Sequence, residues 1–189
     1  MNHSNQKLKN MIIIALFAGI IGILAQVTIP LPLVPITGQT LAIGLAATIL
    51  GSRHGTTSVI LYIIIGAIGV PVFAQMSGGL GVLFGPTGGF IVGFIPTTYF
   101  IGAYLEKVGF TISHAIISNT IGMFITLIFG TIWLKIAAEL SWKSAFIGGF
   151  APFIIVGIIK AVLAGWIGIV VRNRLKEAKL LDHVHPAKK

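Results

Sequence analysis

Residues 151–171 read APFIIVGIIKAVLAGWIGIVV, and Lys160 is the only charge in the run. A membrane-spanning helix takes about 20 predominantly apolar residues, so this stretch is long enough to cross a bilayer. A lysine placed near the middle of such a span costs at least about 2.5 kcal/mol on insertion scales and usually faces a bundle interior or a water-filled cavity. Arg172, at the end of the run, is twelve residues away, about 18 Å at the helical rise. One lysine side chain does not snorkel over that distance. The only acids are Glu106, Glu139, Glu177 and Asp182, and each falls at a helix end or in a tail. The candidates for a partner are therefore backbone carbonyls, water or the anionic group of a ligand. A lysine held neutral by burial is the alternative.

The rest of the chain agrees with a membrane setting. It has 189 residues, 56% of them hydrophobic and 9% charged, against roughly 25% charged in soluble domains. The mean hydropathy is +1.01. Glycine occurs 24 times, which suits close helix packing. Cysteine is absent, which excludes disulfides, thiolate nucleophiles and cysteine-ligated metals. The net charge of +9 does not point to nucleic acid, because the basic residues flank apolar runs as topogenic charges do.

The pattern predicts an all-α integral membrane protein with six transmembrane helices, over about 10–29, 39–52, 56–73, 88–105, 111–137 and 145–172, in one membrane domain. The apolar run after Lys7 and Lys9 continues to Ile29, longer than a signal-peptide core of about 7–15 residues, so it is read as a retained first helix. A basic tail follows over 173–189. With the N-terminus inside, Lys7, Lys9, Arg53, Lys107, Arg172, Arg174, Lys176, Lys179, Lys188 and Lys189 lie on the cytoplasmic side. Only Lys135 and Lys143 lie outside, ten against two. That bias predicts cytoplasmic N- and C-termini, and the C-terminal charges suit anionic lipid headgroups.

This orientation leaves two uncharged outer segments, IPLPLVPITG (29–38) and PVFAQMSGGLGVLFGPTGG (71–89). Apolar, irregular backbone at membrane depth is tolerated where it is buried in protein or lines a cavity. Both segments are expected to fold over the bundle. The polar residues at their margins are candidate ligand contacts. Thr37 and Gln39, with Thr40 beside them, offer uncharged donors and acceptors suited to an amide- or urea-like group; capping of the following helix is the other role open to Thr37. Gly88, Gly89 and Phe90 open the fourth helix, where paired glycines admit a ligand close to the backbone and helix N–H groups favour an anion. A tight turn makes the same demand for glycine. Ser118 and Asn119 are expected to join helices by hydrogen bonds. Trp133, Trp142 and Trp166 are read as interfacial anchors or packing.

On the first helix, Ala15–Gly19 and Ala18–Gly22 are small-xxx-small pairs that let another helix approach, from this chain or another. His3, His183 and His185 lie in tails and His54 in a turn, and no metal cluster emerges. No nucleophile with a base beside it, paired intramembrane carboxylate or ATP-binding motif is present, so the reading is not an enzyme.

Three stretches together, IPLPLVPITGQTLA (29–42), SGGLGVLFGPTGGFIVGF (77–94) and PFIIVGIIKAVLA (152–164), resemble the BioY family, with matching order and spacing from about residue 11 to about residue 172. These are the biotin-binding S components of energy-coupling factor (ECF) transporters. The resemblance implies a multi-pass protein of a prokaryotic plasma membrane that binds biotin from outside at high affinity, with no cofactor. It implies a transmembrane coupling protein and two ATPase subunits as partners, the first helix meeting the coupling protein around Ala15, Ala18, Gly19 and Gly22. It also implies that Lys160 meets the valerate carboxylate. This chain has Ile155-Val156-Gly157 where the family commonly reads Pro-Gly-Asp, and Phe90 where it often has tyrosine. An Asp at 157 would share a helix face with Lys160 and neutralise it internally. With Gly157 there instead, the lysine depends more on its ligand. The alternatives are an S component for another small carboxylate vitamin and a membrane assembly protein. The latter gives no reason for a lone intramembrane lysine.

Overall fold

The computed structural model describes residues 3–178, 180 and 181. Expectations placed on Lys179, Asp182, His183, His185, Lys188 and Lys189, and on the side chain of His3, lie outside the described residues. The elements are α1 (His3–Ala25), a two-stranded ribbon of β1 (Thr28–Ile29) and β2 (Ile36–Thr37), α2 (Gln39–Ala67), a 3-10 turn (Ala74–Met76), α3 (Leu80–Phe84), α4 (Gly88–Val108), α5 (Ile112–Ala137), α6 (Trp142–Gly149) and α7 (Phe153–Glu177).

Among the described residues, four helices are long and apolar enough to cross a membrane: α1 over Gln6–Ala25, then α4, α5 and α7. The second element is different. Gly51 interrupts α2 with φ 81° and ψ −174°, a left-handed conformation that glycine adopts without a Cβ penalty. The chain folds back there. A Cβ on Gly55 would sit 3.0 Å from the carbonyl oxygen of Ala46, and Gln39 hydrogen-bonds Tyr62. Neither contact exists in a straight helix, where residues 39 and 62 would be about 34 Å apart. So α2 is a hairpin with a first arm to Leu50 and a second arm from Ser52.

The turn between expected helices 39–52 and 56–73 is thus Gly51 alone, and Ser52–Gly55, expected as turn, is helical. The second arm ends at Ala67 rather than 73, because Gly69 takes φ 104° and Pro71 cannot continue the helix. The first helix ends at Ala25 rather than 29, since Thr28 and Ile29 pair with Thr37 and Ile36 as antiparallel strands; β-branched residues favour that conformation. The expected helix 145–172 is two helices. Pro152 follows a turn in which Phe150 and Ala151 both donate to the Phe146 carbonyl. The missing proline N–H ends α6 there, and α7 starts directly after it.

The arms of α2 pack on α1, α4 and α7, and α5 packs on α4 and α7. Hence α2, α4, α5 and α7 close a ring, with α1 outside it against α2. Of the four spans, that of α4 is the most buried, 61% against 44% for α5 and 28% for α1 and α7. Small residues permit the approach, as expected where lipid supplies no hydrophobic drive between helices. A Cβ on Gly165 would meet Ala115 and Ile116, and one on Gly168 would meet Thr48.

The hairpin turn is held from two sides. Glu106 of α4 accepts from the Ser52 amide at 2.6 Å and the Ser52 hydroxyl at 2.8 Å. Arg172 of α7, only 2% exposed, donates to the Ile49 carbonyl and lies 3.5 Å over the Phe110 ring. Arg172, grouped above with the surface topogenic charges, is therefore a buried structural cation. Gly102 faces the same turn, and a Cβ there would run into the backbone of Gly51 and Ser52. Gly102→Ala is expected to destabilise the protein by about 1–3 kcal/mol, as overpacking does where backbone must give way. A thermal-stability assay in detergent reads this as a lowered midpoint, and an unchanged midpoint would show the turn to be adaptable.

Candidate functional site

Inside the ring lies a cavity of about 300 Å³, at the lower end of the size range for small-molecule sites. Part of its wall comes from the two uncharged segments. Leu31–Pro35 enters from the β1–β2 connection, and Phe73–Gln75, Ser77 and Val82 enter from the segment before α4. Both segments therefore fold over the bundle.

The attachments of the second segment explain why an uncharged loop holds this position. Gln26, just past α1, donates to the carbonyls of Gly22 and Phe73 at 3.0 and 3.1 Å, and its own carbonyl accepts from the Met76 amide at 2.9 Å. Phe73 is fully buried, edge-on to Tyr62 with ring centroids 5.5 Å apart and seated over Gly66. At the far end, the Trp133 indole donates to the Gly85 carbonyl at 2.9 Å. Trp133 thus packs and anchors inside the protein, while Trp142 and Trp166 are exposed.

Lys160 is the one charged residue on the cavity wall among the described residues. Its ammonium donates to the Thr37 carbonyl at 2.6 Å and contacts the Thr40 hydroxyl at 3.3 Å. No carboxylate of the described residues forms an ion pair with it. A primary ammonium has three donors, so these contacts leave capacity for a ligand oxygen.

Thr37 and Gln39 also line the cavity and are buried. The Thr37 hydroxyl donates to the Gln39 side-chain carbonyl at 2.7 Å, and the Gln39 amide donates to the Tyr62 hydroxyl at 2.5 Å. Phe90 and Gly157 are on the wall as well. A Cβ at 157 would press into Met123, so glycine makes room there for the methionine.

Gly88 and Gly89 do not line the cavity. Gly88 lies against the Leu83 backbone and Gly89 against Trp133 and Phe129. Close packing, not access for a ligand, is what glycine supplies at both. Thr87 beside them does reach the cavity. Residues on the wall that sequence reasoning did not single out include Phe73, Phe94, Thr97, Met123 and Thr126. They are ordinary apolar or hydroxyl residues of apolar runs, and no local signal separates them from packing.

The small-residue face of α1 divides in two. Ala18 and Gly22 are buried, Ala18 in a cluster with Ala42, Ile43 and Tyr62, and Gly22 against Val72. Ala15 and Gly19 are exposed, and nothing lies within 4 Å of a Cβ built on Gly19. The first pair packs within the chain and the second pair faces outward.

A helical bundle with apolar spans and an internal cavity carrying one cation is the architecture of a membrane solute-binding component. The BioY family model matches residues 1–177, and the chain belongs to that family. It is 42% identical over 165 residues to the biotin transporter BioY2 of Lactococcus lactis subsp. cremoris, covering 87% of this chain and 91% of that one. It is 34% identical to the probable biotin transporter BioY of Pyrococcus horikoshii, over 90% of this chain and 98% of the relative. The crystal structure of the S-component for biotin from an ECF-type ABC transporter superposes with a TM-score of 0.83. That match has 30% identity and covers 92% of this chain and 95% of the other.

The buried Thr37–Gln39–Tyr62 chain makes its own test. Tyr62→Phe strands the Gln39 amide donor and is expected to cost about 1–3 kcal/mol. Thr37→Val and Gln39→Leu added to Tyr62→Phe remove every member of the chain and are expected to recover most of that loss. Thermal midpoints of the single and triple variants decide it; a triple variant no more stable than the single one would discount the hydrogen bonds.

Proposed function

We propose that this chain is a high-affinity biotin-binding S component that mediates biotin uptake, energised by a separate ECF module of one transmembrane coupling protein and two ATPase subunits. The observation that carries the reading is Lys160. It is a cation on the wall of an otherwise uncharged cavity, its protein contacts are a carbonyl and a hydroxyl, and a carboxylate complements it. The apolar wall of Phe73, Phe90 and Phe94 suits a ring system and an alkyl chain. Membership of the BioY family and likeness to relatives named as biotin transporters support the choice of substrate.

On this reading Lys160, Gln39, Thr37, Phe90 and Gly157 form the substrate site, and the outer segments open and close over it. The two arms of α2 supply two short crossings beside α1, α4, α5 and α7, which makes six, with both termini cytoplasmic. The distribution of basic residues supports that orientation, in the plasma membrane of a prokaryote. Ala15 and Gly19, exposed on α1, form the part of the small-residue face that meets the coupling protein.

Purified protein is expected to bind labelled biotin saturably, with biotin methyl ester a poor competitor. Lys160→Met is expected to weaken binding by about 2–5 kcal/mol, roughly thirtyfold or more, as loss of one partner of a buried charge pair does. Equal affinity of the variant and the parent would remove Lys160 from the site. For the topology, a cysteine replacing Lys143 should label with an impermeant thiol reagent on intact cells and one replacing Lys107 should not. The reverse pattern would invert the orientation.

A further inference from the structure

Asn119 sits on α5, 4% exposed, on the wall of the same cavity. Its amide nitrogen donates to the Thr48 hydroxyl at 2.9 Å and to the Ala115 carbonyl at 2.8 Å. A carbonyl oxygen can only accept, so the atom facing Ala115 must be the nitrogen, and the orientation of the amide is determined. Both of its protons are then committed, and the side-chain oxygen is left with acceptor capacity alone.

That oxygen lies over Gly44, another cavity residue, where a Cβ would collide with it. Glycine at 44 makes room for the oxygen. No protein donor is assigned to this oxygen among the described residues, so its acceptor capacity is available to a ligand on the cavity side. The amide is fixed by Thr48 and Ala115, and Asn119 stands on the wall of the space a ligand would fill.

Its position relative to Lys160 follows from neighbours on one arm of α2. Lys160 contacts Thr40 and the Asn119 oxygen adjoins Gly44, one helical turn further on, about 6 Å along the axis. The wall therefore offers a donor cation and, about one turn inward, an oriented acceptor. A ligand that satisfies both carries a carboxylate and a nearby N–H.

We propose that Asn119 is a specificity-determining residue that accepts a hydrogen bond from a ureido N–H of the substrate. This rests on the biotin reading of the cavity given above. Since its protons are spent, Asn119 distinguishes a ligand bearing an N–H from one in which that hydrogen is replaced. A helix-joining asparagine with no ligand role would not discriminate between the two.

The experiment compares biotin with its analogue methylated at both ureido nitrogens, by equilibrium binding to the full chain in detergent. Wild type is expected to prefer biotin by tenfold or more. Asn119→Ala is expected to lose at least tenfold in biotin affinity, with little change for the methylated analogue, so that the preference collapses. Thr48→Val removes the support of Asn119 from outside the cavity; it is expected to erode the preference in the same direction and carries the test if Asn119→Ala does not yield folded protein. Saturable biotin binding by wild type together with equal losses for both ligands in the variants, or no loss, would overturn the role of Asn119 alone. Absence of saturable biotin binding by wild type would overturn the biotin reading, and this role with it.

Discussion

Two cationic side chains on α7 grip the first arm of the α2 hairpin. Lys160 donates to the Thr37 carbonyl and Arg172 to the Ile49 carbonyl, so twelve residues on one helix match twelve on the other. The two segments run parallel and in register along this length. Gly44 against Ala164 and Thr48 against Gly168 carry the same register between the two grips. Carbonyls at an irregular entry and at an interrupted helix end lack intrahelical partners, and in a bilayer such groups must be satisfied by protein. The two cations supply donors where the backbone runs out of them, so the same bonds that hold the hairpin also accommodate the charges.

The consequence for the site is geometric. A short arm too brief to span a membrane by itself is locked to a long one, and its N-terminal end brings Thr37, Gln39 and Thr40 to the lysine. The lock through Gly51, Ser52, Glu106 and Arg172 lies at the opposite end of the arm from Thr37, Gln39 and Thr40 yet sets where the arm sits. The segment 71–89 closes another side because Gln26, Phe73 and Trp133 tie it to α1, α2 and α5. A carboxylate arriving at Lys160 would offer the ammonium a charged acceptor in competition with the Thr37 carbonyl, and charge-assisted bonds are the stronger kind. Ligand binding and the hold on the α2 arm therefore meet at one nitrogen atom.

Much of the architecture was legible in apolar run lengths. The boundaries of α4 and α5 fall close to where hydropathy and flanking polar residues put them. The breaks were less visible, because hydropathy averages over single residues. Gly51 ends an arm through one left-handed dihedral, and Pro152 divides a run whose apolar character is continuous across it. The strand pair at 28–29 and 36–37 is a pairing between two dipeptides, too short to leave a period.

By itself the sequence determined that the chain lives in a bilayer, that its basic residues are unevenly distributed between loops, and that Lys160 has no acid nearby along the chain. Those are properties of composition and spacing, and they survive any folding. Only the tertiary structure decided which of the marked residues share a cavity. It placed Lys160, Thr37, Gln39, Phe90 and Gly157 around one cavity, turned Gly88 and Gly89 to helix packing, and left Ala15 and Gly19 exposed while burying Ala18 and Gly22. It also oriented Asn119. The reason is that a glycine, a threonine or an asparagine in an apolar helix looks alike whether it packs, bonds another helix or faces a cavity. What separates these roles is the partner across the interface, and that partner lies dozens of residues away in the chain.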